Sequence, residues 1–336
     1  MAQKFIDTHC HLFNIKGIDD YYVTKGFKKK KHPGFFKMLF TKIDVIHNTL
    51  KDSYPKNVDI ITVPLMMDMI HGMFIFGITI DSFYEQIAEL ENLKTSNKNT
   101  VFPFLAVDPR RDNILALVKN KVGKNKNFHG VKIYPSLGYL PSNPILMEVF
   151  KYCEIQNIPV TTHCGANAAI HGKHFDVEVE GLDHITRKPF KKTMNFLTAD
   201  LMSNYFTNPV KWKPVLENFP KLYLNFAHFG LNNNGQNNLW VATIKQLLHE
   251  YSNTYTDLSY TFTQCKTNNS FVKKIKTLLS NNDFKNKIMY GSDYYMVLRE
   301  NDYEFKEYFD YFKASFTKAE YDLMTFLNPN KFLFER

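Results

Sequence analysis

The chain has 336 residues, of which 44% are hydrophobic, enough apolar material for one large domain core or two ordinary ones. Its 42 Lys and Arg against 33 Asp and Glu leave a formal charge of +9, but Lys-rich segments such as Lys28–Lys31 stand among lysines spread over the whole chain. A continuous basic stripe for nucleic acid is therefore not expected, and the excess reads as a mild preference for small anionic substrates.

Apolar or alternating runs bounded by turn residues predict eight strands in chain order, over 4–9, 59–65, 101–107, 130–134, 159–163, 222–228, 253–258 and 287–293. Several are nearly continuous apolar runs, as expected of parallel strands covered by helices. Helical spacing appears between them. In 81–93 the apolar positions are Phe83, Ile87, Leu90 and Leu93, and 144–156, 239–251 and 269–279 have a similar pattern. Strands alternating with helices in this way predict the α/β class and a single (β/α)8 TIM barrel spanning 1–336 as one domain.

Long segments follow the first strand (14–42) and the fifth (165–211, with His171, His174, His184 and Arg187). Loops after barrel strands build the active-site face, so these either cap a pocket or, in one case, form an oligomer contact or a surface excursion. A homo-oligomer therefore stays open. The tail 328–334 reads as a turn into a packed terminal segment.

Cys10, Cys153, Cys164 and Cys265 show neither CxxC spacing nor the density of a disulfide framework, which fits a reducing, cytoplasmic setting. No charged-then-apolar leader opens the chain. The most apolar later stretch, 64–80, contains Asp68, His71 and two glycines and is too short and polar for a membrane span.

The chemistry-bearing residues fall at strand ends. His9 and His11 close the first strand, and an i, i+2 pair on one strand face aims two imidazoles at one point, which suits a metal such as zinc. His163 ends the fifth strand, His228 the sixth and Asp293 the eighth, all at the carboxyl ends where a barrel keeps its chemistry. A single such histidine would read as a buried, hydrogen-bonded residue, but the five in this order read as one site.

Weaker candidates are Arg110 and Arg111, which either clamp a substrate carboxylate or belong to a capped Asp108-Pro109-Arg110-Arg111 turn. Arg187 and His174 are anion contacts or surface groups. Tyr134 is a hydrogen-bond donor to ligand or an aromatic packing residue, and Asp68 an acidic group at the pocket mouth or a loop cap. Cys10 and Cys164 are expected to be buried packing residues.

The succession Asp7-Thr8-His9-Cys10-His11, Gly130-Val131-Lys132-Ile133-Tyr134-Pro135, Thr162-His163-Cys164-Gly165, Ala227-His228-Phe229-Gly230 and Gly291-Ser292-Asp293 resembles the amidohydrolase superfamily. The closest resemblance is to the amidohydrolase-related branch that includes aminocarboxymuconate-semialdehyde and hydroxybenzoate decarboxylases. It implies a metal-dependent barrel with one or two divalent ions, Zn2+ first among them, held by His9, His11, His163 and Asp293. Lys132 would be a further ligand if carbamylated, and His228 a ligand if the centre is binuclear or an acid/base if it is not.

The implied reaction is hydrolysis of a C–N or C–O bond (amide, lactone or cyclic ester) in a small, anionic molecule. Asp293 would move the proton of the attacking water, and Arg110, Tyr134 and Arg187 would contact substrate. The alternative is non-oxidative decarboxylation with one metal and His228 unligated. A Lys132 that pairs with Asp293 or with a substrate anion is the other reading of that residue.

Overall fold

A computed structural model describes residues 3–14, 33–68, 70–73, 82–165, 173–231, 238–261, 269–299 and 305–335. Lys28–Lys31, His171, Cys265, the side chain of His174 and much of the loop after the first strand lie outside these residues.

All eight predicted strands are present, as β1 (Gln3–Cys10), β2 (Val58–Pro64), β3 (Phe104–Val107), β4 (Gly130–Ile133), β5 (Val160–Thr162), β8 (Leu224–Phe226), β9 (Thr254–Asp257) and β10 (Ile288–Met289). Their pairings are parallel, in the order β10-β9-β8-β5-β4-β3 and, separately, β1-β2. Single bridges stand at the two seams: Thr62–Val101 and Leu65–Phe104 between the second and third strands, and Cys10–Tyr294 between the first and the segment after β10. The ring of a TIM barrel is thus complete in strand order, while its regular ladder is interrupted twice.

Most strands are shorter than the sequence suggests, and in two of them the backbone shows why. The run predicted to reach His228 stops at Phe226 and turns through a tight segment, Ala227–Gly230, in which His228, Phe229 and Gly230 have left-handed backbones with φ of 64°, 51° and 68°. The run predicted over 287–293 keeps ladder pairing only at Ile288–Met289, because Tyr290 N donates to Met324 O (2.8 Å) and Tyr290 O accepts from Thr8 N (3.3 Å).

The loop after β5 holds an antiparallel hairpin that its polar composition did not announce, β6 (Lys173–Leu182) paired with β7 (Pro189–Thr198). The helix Ala199–Thr207 follows it. The predicted helices are found at Phe83–Ser96, Pro144–Ile155, Asn238–Glu250 and Asn269–Ser280. The first buries Phe83, Ile87, Leu90 and Leu93. In the second, Pro144 occupies the first turn and the Asn143 side chain accepts from Ile145 N (3.0 Å), so the N-terminus is capped before the stripe of Leu146, Val149, Phe150 and Cys153.

Side-chain alternation divides the barrel into an outer and an inner layer. Val131 and Ile133 of β4, and Leu224 and Phe226 of β8, join the large cluster under the helices. Ile6, Val63, Phe104, Tyr255 and Met289 form a separate inner cluster, joined by Phe332 and Leu333 of the terminal helix Asn328–Phe334. The tail predicted to pack does so as a plug. Truncating a buried phenylalanine such as Phe332 costs roughly 3–5 kcal/mol.

Candidate metal centre

β1 carries an irregularity that decides where its histidines point. Its register against β2 shifts between Asp7 and Cys10. Before the shift Ile6 belongs to the inner cluster and Phe5 to the outer; after it Cys10 and Leu12 belong to the outer. An extra residue on one strand exchanges its two faces, so His9 and His11 turn inward.

The ends of β1 and β10 are fastened together. Asp7 Oδ1 accepts from Ser292 N (2.9 Å) and His9 N (3.2 Å), and Asp7 Oδ2 from the Tyr54 hydroxyl (2.8 Å). Burial raises the Asp7 pKa to about 6 against these hydrogen bonds. Gly291 is needed at this crossing, since a Cβ there would sit 2.6 Å from the Cβ of His9.

Three donor atoms meet at the strand ends. His9 Nε2 and His11 Nε2 are 3.2 Å apart, and Asp293 Oδ1 lies 3.2 Å from the first and 3.1 Å from the second. All three residues are buried. The far nitrogens are spoken for, His9 Nδ1 by Asp257 Oδ2 (3.1 Å) and His11 Nδ1 by the Leu65 carbonyl (3.0 Å). A carboxylate and a carbonyl only accept, so the hydrogen-bond network assigns each imidazole proton to Nδ1 and leaves Nε2 bare.

Two lone pairs and a carboxylate oxygen at mutual contact distance repel unless a cation lies among them, and Asp293 Oδ1 accordingly finds no hydrogen-bond partner among the described residues. Histidines oriented by a carboxylate or carbonyl on their outer nitrogen are the usual support of metal ligands. This donor set therefore fits a divalent ion.

The fields of these groups agree. Burial alone would raise the Asp293 carboxyl, yet a proton on His11 or His9, whose place a metal ion would take, holds it well below the usual carboxylate range. Burial works against the His9 imidazolium, but Asp257 outweighs it and the pKa stands raised; burial lowers that of His11. A proton on His9 would relieve part of the repulsion. A doubly charged ion facing both bare nitrogens and Oδ1 relieves all of it.

His163 and His228 form a pair beside that set. His228 Nε2 is 3.2 Å from His163 Nδ1, and His228 Nδ1 faces the carbonyl (3.1 Å) and hydroxyl (2.9 Å) of Ser259. The ring centroids of His9 and His228 are 4.9 Å apart, as are those of His163 and His228. Burial pushes the His228 pKa down to about 4 and that of His163 well below the ordinary value. Both are neutral imidazoles at pH 7. Tyr134 packs edge-on against His163, with centroids 4.6 Å apart.

Lys132 projects from β4 toward the same interior. It is buried, its Nζ has no hydrogen-bond partner among the described residues, and burial lowers its pKa to about 8 against the pull of Asp257 and Asp293.

The arginines are placed elsewhere. Arg110 is folded onto Asp108 through Nε (2.8 Å) and Nη2 (2.5 Å) and onto the Leu137 carbonyl (3.1 Å), the capped turn rather than a free clamp. Arg111 makes a two-point pair with Asp68 (2.6 and 2.8 Å) over the Phe83 ring, and Asp68 also accepts from Ile70 N (3.3 Å) as a loop cap. Arg187 closes the β6–β7 hairpin with φ of 61° and pairs with Glu217 at the surface, while His184 contacts Lys211 Nζ (3.2 Å). Each of these three guanidiniums has a carboxylate partner, which a substrate anion would have to share or displace. Cys10 and Cys164 are buried, as expected.

Asp257 escaped the sequence reading. It ends the seventh barrel strand, and an acidic residue at that position was the available signal. With His9 and His228 it makes a second cluster whose donor atoms lie within 4.8 Å of one another, as do those of His9, His11 and Asp293.

No helix among the described residues is long and apolar enough to cross a membrane. Comparison with solved structures finds a probable 2-pyrone-4,6-dicarboxylic acid hydrolase from Acinetobacter baumannii with citric acid bound (14% identity, TM-score 0.58, all of both chains). It also finds 5-carboxyvanillate decarboxylase from Sphingomonas paucimobilis (11%, 0.61, 99% of both) and an amidohydrolase from Burkholderia multivorans with bound zinc (10%, 0.60, 97% of this chain and 98% of that one). At these identities the likeness concerns the fold. No curated protein matches the sequence. The amidohydrolase family model, however, matches residues 6–334, and the chain belongs to that family of metal-dependent barrel enzymes.

Proposed function

We propose that the protein is a zinc-type metal-dependent hydrolase that cleaves a C–N or C–O bond in a small carboxylated molecule, working as a single barrel domain in a reducing cytoplasm. The observation that carries this reading is the convergence of bare His9 Nε2, bare His11 Nε2 and unpartnered Asp293 Oδ1. These three would hold the ion. His163, whose Nδ1 proton is directed at His228, would add its Nε2.

A divalent cation supplies Lewis acidity that makes water a nucleophile near neutral pH. Asp293, held as a carboxylate, receives the proton of the attacking water and passes it to the leaving group. His228 holds its proton on Nδ1 and presents Nε2 as an acceptor beside His163. Lys132 is a buried cation, or the neutral amine that carbamylation requires, and with Arg110, Arg111 and Arg187 paired it is a group available to a substrate carboxylate.

Decarboxylation is the second reading, favoured by one specific observation: His228 is engaged with His163 and Ser259 and lies outside the His9, His11 and Asp293 set. Unligated, its Nε2 would take up a proton from solvent and pass it to the carbon that loses carbon dioxide.

The experiment is to count metal per chain and to assay the zinc-loaded protein with 2-pyrone-4,6-dicarboxylate and 5-carboxyvanillate, the compounds named for two structural neighbours. Ring opening supports hydrolysis and carbon dioxide release supports the second reading. A protein that binds no divalent metal refutes both.

A further inference from the structure

The Asp257 carboxylate accepts from five directions. Oδ2 takes the Asn225 amide (2.7 Å) and His9 Nδ1 (3.1 Å); Oδ1 takes His228 N (3.2 Å), Ser259 N (3.1 Å) and the Ser259 hydroxyl. The Ser259 oxygen, having donated its proton to Asp257, then accepts from His9 Nδ1 (3.0 Å) and His228 Nδ1 (2.9 Å). Both histidines therefore face acceptors whose orientation is set by one carboxylate.

The main chain is held by the same group. His228 begins a run of three left-handed residues, a conformation costly for residues with a Cβ, and its N–H is the one that Asp257 Oδ1 receives.

The geometry points to Asp257 as the positioning residue of the centre: through its two oxygens it keeps the His9 proton on Nδ1, so that Nε2 is free for the metal, and fixes the backbone from which His228 reaches His163. This inference rests on the metal-centre reading and adds to it a residue that touches neither metal nor substrate.

The chemistry of an amide makes it testable. In Asp257→Asn one oxygen must serve the three donors on the His228 and Ser259 side, which turns the Nδ2 amide toward His9. An amide N–H only donates, so of the two acceptors at His9 Nδ1 only the Ser259 oxygen remains, and the new donor shifts the His9 proton toward Nε2, the atom that would bind the ion.

The full-length protein is labelled with 15N-histidine and its tautomers are read by NMR, with zinc as the probe ion in chelator competition. Wild type is expected to show Nδ1–H tautomers for His9 and His228. Asp257→Asn is expected to show His9 as the Nε2–H tautomer in its metal-free form, and to bind zinc about 10- to 100-fold more weakly with an unchanged circular dichroism spectrum.

Wild-type His9 present as the neutral Nε2–H tautomer, with Nδ1 bare, overturns the inference, and this holds even if the variant does not fold. Unchanged zinc affinity in Asp257→Asn overturns it as well, and if Asp293→Asn loses zinc in the same assay the metal-centre reading survives. A wild type that fails to bind zinc brings down both.

Discussion

Asp293 is tied to His9 twice: its main-chain N–H donates to the His9 carbonyl at 2.8 Å, and its Oδ1 lies 3.2 Å from His9 Nε2. The first contact is a continuation of strand pairing past the end of β10 and fixes the second. A backbone bond between the first and last barrel strands thus sets the spacing of two side chains 284 positions apart in the sequence. Asp293 itself has a left-handed backbone (φ 53°), which directs its carboxylate back toward the strand ends.

Asp293→Asn is therefore expected to keep the main-chain tie and lose the charge. Turnover should fall by at least about a hundredfold, the scale of a positioned acid/base group, together with loss of bound metal. Near-normal turnover of the variant on the substrate of the wild type would refute the assigned role.

Lys132→Met should separate stability from function. The ammonium is buried and its pKa falls from 10.5 to about 8, so the folded state binds this proton less readily than the unfolded chain. The resulting penalty builds up as pH drops from 10.5 to 8 and is constant below that, at roughly 3 kcal/mol. In metal-free protein at pH 7 the variant should be more stable by about that amount in urea melts, with the gain shrinking above pH 8, while activity is lost. A variant less stable than wild type at pH 7 would contradict the unpaired-cation assignment.

His47 provides a pH-dependent term away from the centre. It is buried, its Nε2 meets Thr62 Oγ1 at 3.1 Å, and burial lowers its pKa to about 4. The unfolded chain takes up this proton first, so the contribution is present above pH 6.5 and disappears as pH falls to 4. His47→Gln should flatten the acid loss of stability by roughly 3 kcal/mol over that interval, measured as the difference between the two proteins' denaturation curves. Parallel curves would show that His47 is protonated as easily folded as unfolded.

Gly291→Ala tests the crossing of the two strands. The added methyl would meet the His9 Cβ at 2.6 Å and the Ser259 Cβ at 3.0 Å, so His9 must move. A destabilisation of roughly 1–3 kcal/mol is expected, with weaker zinc binding than wild type. Calorimetry and chelator competition read the two effects, and full zinc affinity would show that the crossing has more room than the distances imply.

How much of the site was legible depended on whether the information was local. His9, His11, His163, His228 and Asp293 could be found because each follows an apolar strand run, and strands place their carboxyl ends on one face of a parallel barrel. That His163 would sit against His228, beside the His9, His11 and Asp293 set, was not available from strand order. Nor was the pairing of Arg111 and Arg187 with Asp68 and Glu217, since a guanidinium in sequence looks the same whether a distant carboxylate is near or absent, whereas the Arg110–Asp108 turn is local and was legible.

The sequence by itself determined the alternation of strands and helices, the helix at Pro144–Ile155 and the strand ends on which the chemistry stands. Tertiary structure alone decided which way those ends face. Strand periodicity says that His9 and His11 share a side but not which side, and the register shift after Asp7 turns them from the helices to the interior. It also decided the partners of Asp257, whose carboxylate meets a His9 nitrogen across 248 residues of chain. Hydrogen bonds of that span depend on where the fold brings distant strands together, and no local pattern encodes it.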